Sequence, residues 1–299
     1  MKGVIPVLYS FYAKSGALDL DAHSRQLAWA MAQHAAGVTL LGLASEGAAL
    51  SQEERKTIIA RSVERLPPGK TLLITTRPDD DLSEIATIAL AARDEVGLIV
   101  QIGRDPAPSM DQIRKVAADP SLSVRIKIGL QLAPGLIDTT FSAAALAALP
   151  DILRRVSFLK AECNSLALDA HLKALGKRLD LLIGRNGQNL IDYLRIGATG
   201  VIPGTEMTGP LSVIVSDWME GRHERAIERY GAAAPYIDFA MQDLDTVIDV
   251  GRAVTARALG LDLGSRRMTP ARPETLAPAI DFWFSRSSEI QQTVKAAAP

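Results

Sequence analysis

Short apolar runs alternate with amphipathic segments over the first two thirds of the chain. The runs are rich in β-favouring residues and apolar throughout, which is typical of strands covered on both faces in a parallel sheet. The segments between them carry apolar residues at helical spacing. The predicted strands cover residues 3–10, 38–43, 71–76, 97–102, 123–130, 156–162, 180–183 and 200–203. The predicted helices between them cover residues 20–36, 51–66, 82–95, 109–118, 141–155, 168–177 and 188–196.

This alternation of strands and helices predicts a closed parallel barrel, the α/β fold known as the (β/α)8 TIM barrel, over residues 1–210. An open doubly wound sheet is the alternative, and it would carry a Gly-x-Gly-x-x-Gly turn after the first strand, which this sequence lacks. From residue 211 to residue 299 the pattern is helical only, with helices predicted at 211–221, 223–241, 244–259 and 274–290. We expect this C-terminal helical domain to cover the barrel or to join subunits.

A lysine stands near the end of the sixth predicted strand, residues 156–162. Lys160 follows apolar residues that predict burial, where an ammonium group is costly. Burial lowers the pKa of a lysine, and the neutral amine can attack a ketone to give a Schiff base, which is an electron sink for breaking adjacent bonds. The alternative is a lysine that reaches out to solvent or pairs with Glu162. The strand by itself leaves both interpretations open.

Active-site residues collect at the carboxyl ends of barrel strands, so strand order predicts which residues meet Lys160. Those expected there are Ala44 and Ser45 after the second strand, Gln131 after the fifth, Gly184 after the seventh, and Ile202 and Gly204 at the eighth. Glycines and a hydroxyl would let backbone amides hold the carboxylate of a keto acid. Turn formation alone explains the same residues equally well. Glu46 is interpreted as a structural partner of a nearby backbone amide.

Several motifs resemble those of one enzyme family. They are Gly42-x-x-x-Glu46 followed by Leu50-Ser51-x-Glu53-Glu54-Arg55, Pro134-Gly135 after the fifth strand, Phe158-Leu159-Lys160 on the sixth, and Gly197-Ala-x-Gly200-Val-Ile202. In this order, from Gly3 to about Trp283, the chain resembles the dihydrodipicolinate synthase/N-acetylneuraminate lyase family. The resemblance implies a barrel with a C-terminal helical domain, assembled as a homotetramer or homodimer. It also implies a Schiff base between Lys160 and pyruvate or another 2-oxo acid, without metal or organic cofactor.

The departures from the family pattern concern proton transfer. The family's Gly-Thr-Thr-Gly-Glu stands here as Gly42-Leu43-Ala44-Ser45-Glu46, which leaves Ser45 as the hydroxyl that could seat the carboxylate. The family's Tyr-Asn-x-Pro-Gly-Arg stands as Gln131-Leu132-Ala133-Pro134-Gly135-Leu136, so the proton-shuttling tyrosine is replaced by a glutamine, which cannot titrate. No tyrosine follows the fourth strand either. These losses argue against a dihydrodipicolinate synthase-type condensation.

The residues that replace the family pattern resemble a side branch that contains 2-keto-3-deoxyarabonate dehydratases. They are Gln131, Ser45-Glu46, Lys160-x-Glu162 and Gly204. In such a dehydratase the Schiff base acidifies the neighbouring carbon, a base removes its proton, and hydroxide leaves from the following carbon. Glu162 and Ser45 are the candidates for proton transfer, and Glu162 reaches the pocket only if the strand continues regularly beyond Lys160. Gln131 would orient a hydroxyl or a water.

Composition narrows the classes of binding partner and the cellular compartment that are expected. With 33 basic and 34 acidic residues, a net charge of −1 and no basic cluster, we expect neither nucleic acid nor an anionic membrane as partner. The single cysteine, Cys163, excludes an internal disulfide framework, fits a reducing compartment and is interpreted as a packing residue. The N-terminal apolar run is too short for a signal peptide and no segment is long enough to span a membrane, so a cytoplasmic protein is expected.

Other charged and polar residues give further candidates. Lys127 on the fifth strand could be the amine or pair with a carboxylate, but catalytic groups favour the carboxyl ends of strands. The arginines that could bind an anionic substrate tail or face water are Arg77, Arg104 and Arg185. The histidines, His23, His34, His171 and His223, fall on predicted helices without ligand spacing. We interpret them as packing or solvent-facing residues and expect no metal.

Two functions follow from the sequence. The first is a Schiff-base lyase that acts on a small 2-oxo sugar acid, by removing water or by cleaving a carbon-carbon bond. The second is a barrel that has lost catalysis together with its tyrosine and now senses a keto acid or serves as a scaffold.

Overall fold

The computed structural model of the chain describes residues 1–134, 148–166, 168, 172–173, 179–267 and 276–296. Most of the helix predicted at 168–177 and the first part of the one predicted at 141–155 lie outside these residues, as do Gly135, Leu136 and His171.

Parallel strands form one continuous eight-stranded sheet. They are β1 (Gly3–Val4), β2 (Gly37–Leu40), β3 (Thr71–Thr76), β4 (Val96–Val100), β5 (Ile126–Leu132), β6 (Val156–Ala161), β7 (Asp180–Ile183) and β8 (Gly200–Val201). Strands β2 to β8 neighbour one another in chain order, and β1 pairs with β8. Val7, just past β1, bridges to Thr39 of β2 on one side and to Gly204 on the other, which brings the two ends of the sheet together. The predicted (β/α)8 TIM barrel is confirmed.

The helices that the structure describes follow the strands as predicted, with shifted ends and with one short additional helix before β5. In the barrel they are α1 (Leu20–Ala32), α2 (Gln52–Arg65), α3 (Leu82–Leu90), α4 (Ala107–Ala118), α5 (Pro120–Ser123), α6 (Pro150–Arg155) and α7 (Leu190–Arg195). The capping box predicted at the start of α2 is present, since the Glu54 amide donates to Ser51 Oγ at 3.2 Å and the Ser51 amide to Glu54 Oε2 at 2.9 Å. The helices after the last described strand are α8 (Thr208–Met219), α9 (His223–Ala240), α10 (Leu244–Leu259) and α11 (Leu276–Ala296).

The first strand is much shorter than the strand predicted over residues 3–10, because Pro6 has no amide to donate to a neighbour. Pairing continues beyond it in separate hydrogen bonds, since the Val7 amide donates to the Pro203 carbonyl at 2.7 Å and the Leu8 amide donates to the Thr39 carbonyl at 3.0 Å. At Tyr9 a side chain, and not a neighbouring strand, binds the backbone amide and carbonyl. The fully buried Gln26 of α1 accepts from the Tyr9 amide at 2.8 Å and donates to the Tyr9 carbonyl at 2.9 Å.

Apolar side chains fill the inside of the barrel below the carboxyl ends of the strands. They are Ile5, Val7, Leu73, Ile99, Phe158, Leu182 and Ile202. Phe158 fits because Gly129 faces it, where a Cβ atom would lie 2.2 Å from the ring. Phe158 and Lys160 are two positions apart on β6 and therefore share the inner face. The lysine thus stands directly above an apolar floor.

Candidate active site

Lys160 lies on β6 near its carboxyl end, buried and paired in register with Gln131 of β5 and Leu182 of β7. It lines a cleft at this end of the barrel. The predicted site residues that line the same cleft are Ala44, Glu162, Ile202 and Gly204. The barrel therefore brings together residues from the end of β6, from the segment after β8 and from the turn after β2.

Glu162 reaches the amine of Lys160. The ladder continues one residue past β6, because the Glu162 amide donates to the Leu132 carbonyl at 2.7 Å, so the condition set for Glu162 by the sequence is met. Glu162 Oε1 lies 3.3 Å from Lys160 Nζ, and both side chains are buried. The ion pair that the sequence offered as a structural alternative is therefore present, and it lies inside the cleft.

Gln131 holds the other oxygen of this carboxylate. Its Nε2 donates to Glu162 Oε2, while its Oε1 accepts from Gln101 Nε2 at 3.0 Å. Because an ionised carboxylate only accepts hydrogen bonds, this orientation of the amide follows from its neighbours. Gln131 thus contacts the carboxylate and fixes where its free lone pairs point.

Gly184 makes room for Glu162. A Cβ atom at this position would lie 2.4 Å from both Cγ and Oε1 of Glu162. The glycine follows β7, and its amide donates to the Ala161 carbonyl at 2.9 Å. The residue type is therefore set by the close approach of the carboxylate.

The turn after β2 differs from its sequence-based interpretation. The buried Ser45 donates its hydroxyl to the Leu8 carbonyl at 2.6 Å, and its own carbonyl accepts from Ser10 Oγ at 2.6 Å. Ser45 is not among the cleft-lining residues found in the described parts of the chain, whereas Ala44 is. A carboxylate needs a donor, and the Ser45 proton is already committed to the backbone. Glu46 is a structural residue, as predicted, but its partner is the Arg266 guanidinium at 2.9 Å.

The sequence placed Glu206 in a loop that could contact the far half of the substrate, but it assigned this second carboxylate no role. Glu206, in the turn after β8, accepts hydrogen bonds from Tyr9 Oη at 2.9 Å, Asn186 Nδ2 at 3.1 Å and Tyr236 Oη at 3.3 Å. Burial raises the pKa of Glu206, although its hydrogen bonds oppose the shift. Burial and the neighbouring carboxylate raise the pKa of Tyr9 well above its usual value. β1 and β8 are adjacent in the barrel. A tyrosine shortly after one strand and a glutamate shortly after the other is the sequence pattern that could have indicated this pair.

The structure shows different surroundings for the lysine and the arginines that the sequence offered as further candidates. Lys127 is half-exposed and pairs with Glu95 at 2.8 Å, which is the second of the two alternatives that the sequence offered for it. Arg185 lines the cleft and donates from Nε to Gln188 Oε1 at 2.9 Å. Arg77 pairs with Asp80 at 3.3 Å, and neither Arg77 nor Arg104 is among the lining residues of the described chain.

The histidines and the cysteine serve packing where the structure describes them. His23 is buried on α1, 2.8 Å from Ser62 Oγ, and burial lowers its pKa to about 4. His34 and His223 are exposed. Burial raises the pKa of Cys163, which disfavours the nucleophilic thiolate. Within the described ranges no group of three or more histidine, cysteine or acidic residues could hold a metal ion, and no helix is long and apolar enough to cross a membrane.

Comparisons with known proteins give one curated relative. No protein-family model matches the chain. L-2-keto-3-deoxyarabonate dehydratase from Azospirillum brasilense is 26% identical over 250 residues, which covers 79% of this chain and 79% of the relative.

Solved structures share the fold over nearly the whole chain. Ruminococcus gnavus sialic acid aldolase has a TM-score of 0.80 at 18% identity, covering 98% of this chain and 99% of its own. Dihydrodipicolinate synthase from Rhodopseudomonas palustris has a TM-score of 0.77 at 17% identity, covering 96% of this chain and 97% of its own. A prophage protein of the dihydrodipicolinic acid synthase family from E. coli K12 was solved in complex with pyruvate. It has a TM-score of 0.79 at 18% identity, covering 96% of this chain and 99% of its own.

The fold thus agrees with the family that the motifs around Lys160 resemble, and the curated relative has the activity of the side branch that the departures from those motifs resemble. The comparisons also support an enzyme of the lyase class. The predicted resemblance of this chain to the dihydrodipicolinate synthase/N-acetylneuraminate lyase family is thereby confirmed.

Proposed function

We propose that the protein is a Schiff-base-forming lyase that removes water from a 2-keto-3-deoxy sugar acid through Lys160. The observation that carries the proposal is the pairing of a buried amine and a carboxylate, 3.3 Å apart, inside a cleft at the carboxyl ends of the barrel strands. Dehydration is preferred to carbon-carbon cleavage because the curated relative is a dehydratase. Condensation is disfavoured because Gln131 cannot move protons.

The chemistry begins at the amine of Lys160. Its neutral form attacks the C2 ketone, water leaves, and the resulting iminium draws electrons from the C2–C3 region. Glu162 then takes a proton from C3, and the enamine expels hydroxide from C4 as the C3–C4 double bond forms. Gln131 keeps Glu162 in place, while Phe158, Leu182 and Ile202 exclude water from below.

The substrate carboxylate needs donors that the protein has not already used. In the short 3₁₀ turn Leu43–Ser45 the first amides have no acceptor within the turn, and Ala44 lines the cleft. We assign the Ala44 amide to the carboxylate and give Ser45 the role of fixing the turn against β1. The Gly204 amide is bound by Asn186 Oδ1 at 2.9 Å, so Gly204 contributes space.

Assembly and compartment belong to the same proposal. The helical segment over residues 211–299 would join subunits of a homotetramer or homodimer, as in the family that the chain resembles. One buried free cysteine fits the reducing cytoplasm.

Borohydride trapping tests the proposal. Incubation with pyruvate and borohydride is expected to add one reduced pyruvate to the protein, and peptide mass spectrometry should place it on Lys160. The Lys160→Ala protein should gain none. An unmodified wild-type protein, or equal labelling of the two proteins, would defeat the proposal.

A keto-acid sensor would give a different pattern. It would be stabilised by 2-oxo acids in a thermal-shift screen but would release no product from any of them. Product analysis of each stabilising acid therefore separates a sensor from a lyase.

Replacement of Gly184 by alanine is expected to lower turnover by roughly 100-fold, because its Cβ would displace the Glu162 carboxylate by a large fraction of an ångström or more. Dehydration kinetics and thermal unfolding measure the two effects separately. Gly231→Ala is the matched control, since a Cβ there meets open space. Unchanged turnover in Gly184→Ala would show that the position of Glu162 does not limit the reaction.

A further inference from the structure

Dehydration needs an acid as well as a base, and the Lys160–Glu162 pair supplies only the base. The leaving hydroxide at C4 must be protonated, which in acid-base catalysis is the task of a positioned side chain. Gln131 stands where the family has its tyrosine and cannot do this. The cleft, however, is also lined by a tyrosine from the segment after β1, Tyr9.

Tyr9 is held rigidly at the edge of the cleft. Gln26 binds both its amide and its carbonyl, and the same Gln26 oxygen accepts from Thr205 Oγ1 at 2.7 Å. Thr205 precedes Glu206 in the chain. The buried side-chain amide of Gln26 therefore fixes both Tyr9 and the residue next to Glu206.

Two glycines make the space for the tyrosine hydroxyl. A Cβ atom at Gly204 would lie 2.0 Å from Tyr9 Oη, and one at Gly251 would lie 1.9 Å from it. The hydroxyl therefore occupies space that a side chain at either glycine position would fill. Its partner Glu206 is equally enclosed, with Asn186 and Tyr236 on its other oxygen.

The Tyr9–Glu206 hydrogen bond can carry a proton in either direction. Its two oxygens are 2.9 Å apart, and each belongs to a group that can hold the proton. Burial favours the protonated form of Glu206 by raising its pKa. With Glu206 protonated, the carboxyl group donates to Tyr9 Oη, and the tyrosine proton becomes available to a ligand in the cleft. Arg252 of α10, which favours the ionised tyrosine electrostatically, is the cation nearby that would stabilise charge on Tyr9 during the transfer.

We propose that Tyr9 is the general acid that protonates the departing C4 hydroxide, and that Glu206 is a positioning residue that resupplies its proton. This inference rests on the proposed function, since it concerns the second half of the same reaction. The C4–O bond breaks, its electron pair takes the Tyr9 proton to form water, and Tyr9 takes the proton of Glu206. Over the cycle Glu162 releases the C3 proton to the cleft, and Glu206 regains one through Tyr9, which lines the cleft, so the protons balance.

Two carboxylates in different surroundings have opposite roles in this proposal, one as proton acceptor and the other as proton donor. Glu162 is held by the Lys160 nitrogen and the Gln131 amide, and it accepts a proton. Glu206 lies among tyrosines in a fully buried site, and it delivers one. Such a contrast between two acidic groups in one site is the usual mark of a base and an acid.

Two reactions separate the acid from the base. Exchange of the pyruvate methyl protons with deuterated water, followed by NMR, needs only the Schiff base and Glu162. Loss of water from L-2-keto-3-deoxyarabonate needs the acid as well. For Tyr9→Phe we expect kcat for dehydration to fall by about 100-fold to 1000-fold, with exchange unchanged within about twofold. For Glu206→Gln we expect kcat to fall by about 10-fold or more, with KM and exchange retained.

Tyr193→Phe is the matched control. Tyr193 is a fully buried tyrosine on α7 for whose hydroxyl the described residues offer no hydrogen-bond partner, and it is not among the described residues that line the cleft. It should dehydrate like the wild type. Thermal unfolding identifies any variant that fails to fold, and the Tyr9→Phe result decides the inference if Glu206→Gln does not fold.

The outcomes distinguish this inference from the proposed function. A Tyr9→Phe protein that dehydrates at the wild-type rate, or that loses exchange and dehydration equally, overturns the role of Tyr9. A wild-type protein that exchanges pyruvate but leaves L-2-keto-3-deoxyarabonate and other 4-hydroxy-2-oxo acids intact refutes dehydration in the proposed function and this inference with it, while the Schiff base stands. Absence of both exchange and trapping in the wild type is instead a failure of the proposed function.

Discussion

Lys160→Met is expected to abolish turnover, with a loss of roughly 10⁴-fold or more, because a thioether cannot form the covalent imine on which every later step depends. Methionine is unbranched and similar in length to lysine, and the floor beneath it is formed by Phe158 and Leu182. The side chain should therefore pack without opening a cavity. Steady-state dehydration and pyruvate exchange are the measurements, and both should fall together.

The control for this substitution is Lys127→Met. That lysine lies on the neighbouring strand β5, where it pairs with Glu95 at the surface. Its loss should leave turnover and trapping unchanged. If Lys160→Met kept about a tenth of the wild-type activity, the amine would not be the nucleophile.

Glu162→Gln is expected to leave the amine competent while stopping proton removal. The substitution keeps the shape of the side chain, and the new amide can still meet Gln131, but it cannot accept a proton from C3. We expect dehydration and pyruvate exchange to fall by about 10²-fold to 10⁴-fold. Borohydride trapping at Lys160 should persist, since imine formation precedes the step that is lost.

The separation of trapping from exchange is what makes the Glu162 experiment specific. A merely structural carboxylate would, when neutralised, disturb the position of Lys160 and lower trapping as well. Glu95→Gln, a surface carboxylate in an ion pair, serves as the control and should change neither reaction. Retention of fast exchange in Glu162→Gln would assign the base elsewhere.

The barrel and the pairing of Lys160 with Glu162 were predictable because the relevant signals are local. Apolar runs defined the strands, and strand order defined which ends meet. Lys160 and Glu162 lie two positions apart on one strand, so their common face follows from the pleat once the strand is identified. Gln131 follows from the register of the next strand, β5.

The features that escaped prediction depend on contacts between distant segments. The interruption of β1 could be expected at Pro6, but not its repair by the Gln26 side chain of α1. The direction of the Ser45 hydroxyl is set by the Leu8 carbonyl of a different segment. A hydrophobic pattern carries no information on which acceptor a hydroxyl will choose, so the suggested role of Ser45 could not be tested until those neighbours were placed.

The two halves of the proposed chemistry differ in how far apart their residues lie along the chain. Lys160 and Glu162 are nearly adjacent, whereas Tyr9 and Glu206 are separated by 197 positions. Long-range contacts of this kind form late, because a large loop must close before they gain any free energy. A barrel that has not yet joined its first and last strands would therefore own a reactive amine without its proton donor, and incompletely folded chains would bind keto acids without consuming them.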